Sequence, residues 1–301
     1  IGTDTGGSVR VPASLCGITG LKPTFGLISR FGVTPLSWSM DHVGPLAKTA
    51  EDTAIALNAL VQFDPKDPDS VPTHETDYTK YLERGIKGIR IGIPKNFIWD
   101  LVDPEVKLAF DKAIKETESL GAVVKEIINP DLELINMAGS IVQTSEAATI
   151  HRSNVLNNGD SFDPIIRMRI ETGLFITAES YIKAQQIRMD KKTELIKQFD
   201  DVDLIATPTT SIPAPRLDQE RIDINNHDVH IREALLRITR IFSTIGLPAI
   251  SIPCGLSNNK LPIGLQLVAK PFNEQMLLNV AHCFQMVTDW HNLRPDLTIS
   301  N

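Results

Sequence analysis

GIRIGIPKNFIWDLVDPEVKLAFDKAIKETESLGAVVKEI, residues 88–127, reads as strand, helix, strand. GIRIGIP (88–94) is a short run rich in isoleucine, bounded by Gly88 and Pro94, which marks a buried strand. Residues 103–120 place Val106, Phe110, Ala113, Thr117 and Leu120 on one face of a helix, and GAVVKEI (121–127) returns to strand. Two strands joined through a helix run parallel with a right-handed crossover, so this region predicts a sheet flanked by helices.

The same alternation extends outward on both sides. Toward the N-terminus, residues 49–60 predict a helix capped by Thr49, with Asp52 three residues on and Ala54, Leu57 and Leu60 on one face. Before it, the chain to about Pro45 is rich in Gly, Pro, Ser and Thr and reads as loops and short strands. FDPKDPDSVPTH (63–74) is an acidic, proline-rich segment, read as a solvated connection rather than a metal or ligand loop. Toward the C-terminus, helical patterns cover 132–157 and 177–199, the second with Tyr181, Ala184 and Ile187 in phase, and DLIATP (203–208) is a strand. A helix over 231–245 follows, then AISIP (249–253) and IGLQLVA (263–269) joined by a turn at 257–260, then a helix over 273–287. That last strand pair reads as a hairpin, which makes the sheet mixed. The fold class is therefore α/β: a mixed, largely parallel sheet flanked by helices.

Composition bounds the function. The 301 residues are 42% hydrophobic and 22% charged, enough for a large core, and the net charge of -7 argues against a nucleic-acid or anionic-membrane surface. No run approaches the ~20 apolar residues of a membrane helix. Cys16, Cys254 and Cys283 are widely spaced without a CxxC pair, which suits reduced thiols and a cytoplasmic location. His227 and His230 in HDVH lack a third ligand for zinc, and the Asp64, Asp67, Asp69 group lacks the glycine and terminal glutamate of a calcium loop, so no metal and no cofactor is assigned.

The chemistry concentrates in IGTDTGGSVR (1–10). Gly6 and Gly7 allow close backbone approach, so the amides of Thr5, Gly6, Gly7 and Ser8 can converge on one oxygen while Ser8 supplies a nucleophile. Taken alone a Gly-Gly-Ser is a turn, and it matches neither the GxSxG elbow nor the phosphate-binding loop.

Its surroundings decide more. IGTDTGGSVRVPASLCGITGLKPTFGLISRFGV (1–33), MDHVGPLAKTAEDTAIALNAL (40–60), DLIATPTT (203–210), GLPAISIPCG (246–255) and LPIGLQLVAKPFNE (261–274) closely resemble, in order, the landmarks of the amidase signature family. The resemblance implies a family that cleaves carboxamides with a Ser-Ser-Lys triad. It implies Ser8 as nucleophile, Thr5, Gly6, Gly7 and Ser8 as oxyanion amides, and Thr3, Asp4 and Arg10 as supports of the loop. It further places Met40, Asp41, Thr209, Thr210, Ile245 and Gly246 near a substrate pocket, and gives Lys22 a structural place. The family's lysine base and bridging serine have no counterpart here, so 1–301 is expected to be the C-terminal portion of a single, N-terminally truncated amidase signature domain, inactive alone. The expected partners are a small-molecule amide, the missing N-terminal segment, and a second copy in a homodimer. RIETGLFITAESYIKAQQIR (169–188) and STIGLPA (243–249) depart from the pattern of the glutamyl-tRNA amidotransferase enzymes, so a stand-alone amidase is preferred to a transamidation component or to a non-catalytic remnant.

Overall fold

The computed structural model describes residues 1–72 and 77–295. The first third contains β1 (Gly2–Asp4), α1 (Arg10–Cys16), β2 (Thr19–Lys22), β3 (His42–Gly44), β4 (Leu46–Ala47) and α2 (Ala50–Leu60). Then come β5 (Arg90–Pro94), α3 (Pro104–Ser119), β6 (Val123–Ile127), α4 (Leu132–Asn158), α5 (Pro164–Gly173) and α6 (Ala178–Lys197). The last third holds β7 (Leu204–Pro208), β8 (Arg221–Ile224), β9 (His227–His230), α7 (Ile231–Thr244), β10 (Ala249–Leu256), β11 (Pro262–Ala269) and α8 (Glu274–Met286).

Seven strands form one sheet in the order β4-β2-β10-β11-β7-β5-β6. As expected, β5 and β6 pair in parallel across α3, with Arg90 opposite Val123 and Pro94 opposite Ile127. The sheet is mixed, but its parallel part is confined to β5, β6 and β7. The pairs β7 with β11, β11 with β10, β10 with β2 and β2 with β4 are antiparallel, which corrects the expectation of a largely parallel sheet. For β10 and β11 the reason is connection length, since the turn between them is too short for the helical crossover that parallel strands need.

Side chains of β11 alternate between two environments. Leu265 and Leu267 join the main core with Phe110 of α3 and Leu277 and Leu278 of α8, whereas Gln266 reaches Arg10 at the start of α1. A Cβ on Gly264 would lie 2.5 Å from Ser14 Oγ, so α1 can press onto the strand only because that position is glycine. A smaller apolar cluster joins Met40 to Ala138 and Val142 of α4 and Ala184 of α6, with Tyr181 and Ile187 packed against it.

Local signals explain the helix ends. Thr49 accepts the Asp52 amide to cap α2, Asp103 accepts from Glu105 at α3, and Thr177 accepts from Ser180 at α6. The loop after α2 is more ordered than a solvated connection. Asp64 accepts from Ser29 Oγ at 2.8 Å, Asp67 takes the Arg30 amide at 2.7 Å, and Val71 N donates to Gly26 O at 3.0 Å. Residues 73 and 74 of that segment lie outside the described residues. No helix among the described residues is long and apolar enough to cross a membrane.

Candidate active site

β1 pairs with β3 and delivers the chain into a loop, residues 5–9, that ends at α1. Asp4 and Arg10 flank this loop, and both are fully buried. The pair is bidentate: Arg10 Nε lies 3.0 Å from Asp4 Oδ2 and Nη2 lies 2.9 Å from Oδ1. The Asp4 carboxylate also accepts the Val9 amide at 3.2 Å and the Ser243 hydroxyl at 3.0 Å. Burial alone would raise its pKa, yet the adjoining guanidinium holds it well below the usual carboxylate range. Arg10 also grips the body of the protein, Nη1 donating to Thr239 O (3.0 Å) and Gln266 Oε1 (2.7 Å) and Nη2 to Ser243 Oγ (2.6 Å). A buried charge this fully satisfied fixes the loop at both ends.

Between those anchors the loop is shaped by steric limits. Gly7 has φ of +144°, and a Cβ there would stand 2.3 Å from Thr239 Oγ1, which is itself donating to Gly6 O at 2.7 Å. Only glycine meets both demands. Thr5 is buried and donates to Asp41 Oδ1 at 2.5 Å, while Asp41 Oδ2 accepts the Leu36 and Ser37 amides at 2.8 and 2.9 Å. Among the described residues, the amides of Thr5, Gly6, Gly7 and Ser8 donate to no protein acceptor. Ser8 is exposed at the end of this row, and Thr3, also exposed, precedes it on β1. The loop thus presents a hydroxyl beside uncommitted backbone donors.

The remaining sequence candidates lie behind this surface. Met40 is fully buried in the cluster between α4 and α6, and Asp41 serves as the clamp on Thr5. Thr209 Oγ1 pairs with Ser251 Oγ at 2.7 Å, and Thr210 donates to Ile212 O at 2.8 Å. Ile245 is a core residue at the end of α7, and Gly246 turns the chain into β10 with φ of +73°. Lys22 is buried, donating from Nζ to Leu247 O at 2.5 Å and to Pro23 O at 3.1 Å. Burial, and after it the charge of Arg10, pushes its ammonium pKa well down. His42 Nδ1 faces two carbonyls, Met40 O at 2.6 Å and Asp4 O at 3.1 Å, so that nitrogen carries the proton. Burial keeps the ring neutral.

His227 and His230 are exposed, and the latter accepts the Arg232 amide as the cap of α7. Among the described residues no group of three or more His, Cys, Asp or Glu is placed to hold a metal. Cys16, Cys254 and Cys283 are free thiols, and burial pushes that of Cys254 up to about 12.

The sequence reading missed Thr239, Ser243 and Gln266, which hold the loop from α7 and β11. It also missed the support of the neighbouring 36–41 loop. There Glu146 of α4, fully buried, accepts from Ser37 Oγ at 2.5 Å, from Ser39 N and Oγ at 3.1 and 2.7 Å, and from Tyr181 Oη at 2.9 Å. Arg188 of α6 completes it by donating to Ser39 Oγ at 2.7 Å.

A glycine-shaped loop ending in an exposed serine is thus carried on a mixed α/β sheet. The chain belongs to the amidase signature family, whose profile, described as Amidase, matches residues 1–278. It is 37% identical to the A component of the glutamyl-tRNA(Gln) amidotransferase of Thermodesulfovibrio yellowstonii, with 98% of this chain and 65% of that protein aligned. It is 36% identical to an amidase of Pseudomonas putida, over 98% of this chain and 64% of that protein. Among solved structures, one described as a vestigial protein complex bearing on the origins of an s-triazine catabolic enzyme superposes with TM-score 0.90 at 35% identity, covering 95% of this chain and 62% of that one. The corresponding glutamyl-tRNA(Gln) amidotransferase component from Thermotoga maritima gives TM-score 0.77 at 32% identity, over 93% and 60%. The chain therefore spans somewhat less than two thirds of the length of these relatives.

Proposed function

We propose that this chain carries the nucleophile and oxyanion half of an amidase that converts a carboxamide to a carboxylic acid through a serine acyl-enzyme. The observation that carries the reading is the exposed Ser8 beside the uncommitted amides of residues 5–8, on a loop clamped by the buried Asp4 and Arg10 pair. Ser8 Oγ attacks the amide carbonyl, its proton passes to a base, and the carbonyl oxygen gathers charge against the Thr5 to Ser8 amides. Collapse of the tetrahedral adduct expels ammonia or an amine carrying the transferred proton, and water then hydrolyses the ester to acid and free serine. Ser8 Oγ has no hydrogen-bond partner among the described residues, so the family's lysine and bridging serine are the proposed source of the base.

A stand-alone amidase is favoured over a transamidation component by the departures at 169–188 and 243–249. The relatives named as amidotransferase components support a second reading, in which another chain is bound. The test is covalent labelling of Ser8 by a fluorophosphonate, read by peptide mass, alongside turnover of an amide panel. Ser8→Ala is expected to abolish labelling and lower turnover by at least about 10³-fold. Unchanged turnover in that variant overturns the assignment.

A further inference from the structure

Gly6 and Gly7 form the only Gly-Gly pair in the sequence, in the middle of the candidate oxyanion loop. Glycine tolerates either sign of φ, so a peptide unit between two glycines turns over at little cost unless something holds it. What holds this one is a side chain of α7. Thr239, fully buried, donates from Oγ1 to Gly6 O at 2.7 Å, and among the described residues that carbonyl accepts from no other group. The hydroxyl has a single proton, and its alternative acceptor within the helix, Leu236 O, lies farther off at 3.3 Å.

Peptide planarity turns this contact into a direction. No peptide bond among the described residues is cis, and across a trans peptide the C=O and the following N–H point opposite ways. A Gly6 carbonyl aimed at α7 therefore aims Gly7 N–H away from α7. The neighbouring units obey the same rule. Gly7 O accepts from Val11 N at 2.7 Å, which directs Ser8 N–H away from that turn of α1. Asp4 O lies 3.1 Å from Nδ1 of His42, which directs Thr5 N–H away from the ring. Of these three holds, the one from Thr239 falls on the peptide that is free to turn. Thr239 is itself fixed, since its own carbonyl accepts Arg10 Nη1 at 3.0 Å. The arginine that anchors the ends of the loop thus also anchors the residue that grips its middle.

We propose that Thr239 is a positioning residue for the reaction: its hydroxyl latches the Gly6–Gly7 peptide in the orientation that presents Gly7 N–H to the developing oxyanion. The proposal rests on the reading of residues 5–8 as the oxyanion donors. Without the latch the peptide takes both orientations, and in the reversed one the Gly6 carbonyl, an acceptor, stands where a donor is needed.

The test compares Thr239→Val, which keeps the shape and loses the hydroxyl, with Thr239→Ser, which keeps the hydroxyl. The first readout is inactivation of Ser8 by a fluorophosphonate over a concentration series. In Thr239→Val the limiting rate is expected to fall about tenfold or more, with the half-saturating concentration changed by less than about twofold. Thr239→Ser is expected to stay within about threefold of the unsubstituted chain in both. The second readout is spectroscopic. Glycine carrying carbon-13 at its carbonyl and nitrogen-15 gives a single carbonyl-to-amide NMR correlation in this sequence, that of Gly6 C=O with Gly7 N–H. Thr239→Val is expected to shift or split that signal and Thr239→Ser to retain it, while phosphonylation of the unsubstituted chain moves the Gly7 proton downfield. Should Thr239→Val fail to fold, Thr239→Ser and the response of the Gly7 proton to phosphonylation decide. An unchanged limiting rate and Gly7 signal in Thr239→Val, equal losses in both variants, or a Gly7 proton indifferent to phosphonylation overturns the proposal. In each of those cases the Ser8 assignment stands so long as Ser8→Ala abolishes labelling. Labelling that survives Ser8→Ala, or no labelling of the unsubstituted chain, removes the oxyanion reading itself and the positioning role with it.

Discussion

Gly7 is the residue on which the loop depends most. Its φ of +144° and the 2.3 Å approach of Thr239 Oγ1 leave no room for a side chain. Gly7→Ala is expected to cost about 1–3 kcal/mol in a urea melt and to displace the Gly6 carbonyl from Thr239, lowering phosphonate labelling of Ser8 in parallel. Asp4 and His42 set the acid limb of stability. Burial depresses the His42 pKa below the unfolded value of about 6.5. The folded state thus refuses a proton that the unfolded state takes, and the contribution is full above that pH and lost as pH falls below it. Asp4, held low against burial by Arg10, contributes above an unfolded value of about 3.9 and loses that contribution as pH falls through its folded value. Urea titrations between pH 7 and 5 are expected to show stability falling by up to about 1.4 kcal/mol per pH unit from His42. His42→Gln should flatten that interval and leave the steeper loss below about pH 4 in place.

At the level of elements, the fold was legible where a periodic pattern had a chemical boundary. Thr49, Asp103 and Thr177 begin helices that continue with apolar residues in phase, and β5, α3 and β6 follow the order their sequence predicts. The hairpin of β8 and β9 was missed because its strands are four residues long and largely charged on the outside. Its signal was Asn225 and Asn226, both with positive φ, between Ile224 and Val229 on the buried side. The 63–72 loop escaped because its acidic residues suggest solvent, whereas Arg30 and Ser29 gather them. The 36–41 loop makes the same point, since its anchor Glu146 is about 110 residues distant. Glu146→Ala removes the acceptor of four hydrogen bonds. It is expected to destabilise by about 1–3 kcal/mol and to open residues 36–39 to limited proteolysis, visible as a new cleavage beside Trp38.

Across the whole molecule, the glycine-rich motif and the Asp4, Ser8 and Arg10 set could be read from ten consecutive residues. Thr239, Ser243 and Gln266 could not. Their relevance arises only when α7 and β11 pack around the loop.

The long reach of Arg10 bears on how the protein is made. Its contacts to Thr239 and Gln266 close gaps of 229 and 256 residues in the chain. At ribosomal speeds of about 5–20 residues per second, the nascent loop waits roughly 13–50 s for the strand that completes its anchorage. Through that interval a charged arginine and aspartate, destined for the interior, stay wet and unpaired to the outside. Assembly of the 5–9 loop is thus tied to the synthesis of β11, and a message cut short before that strand yields a chain whose Ser8 has no fixed address.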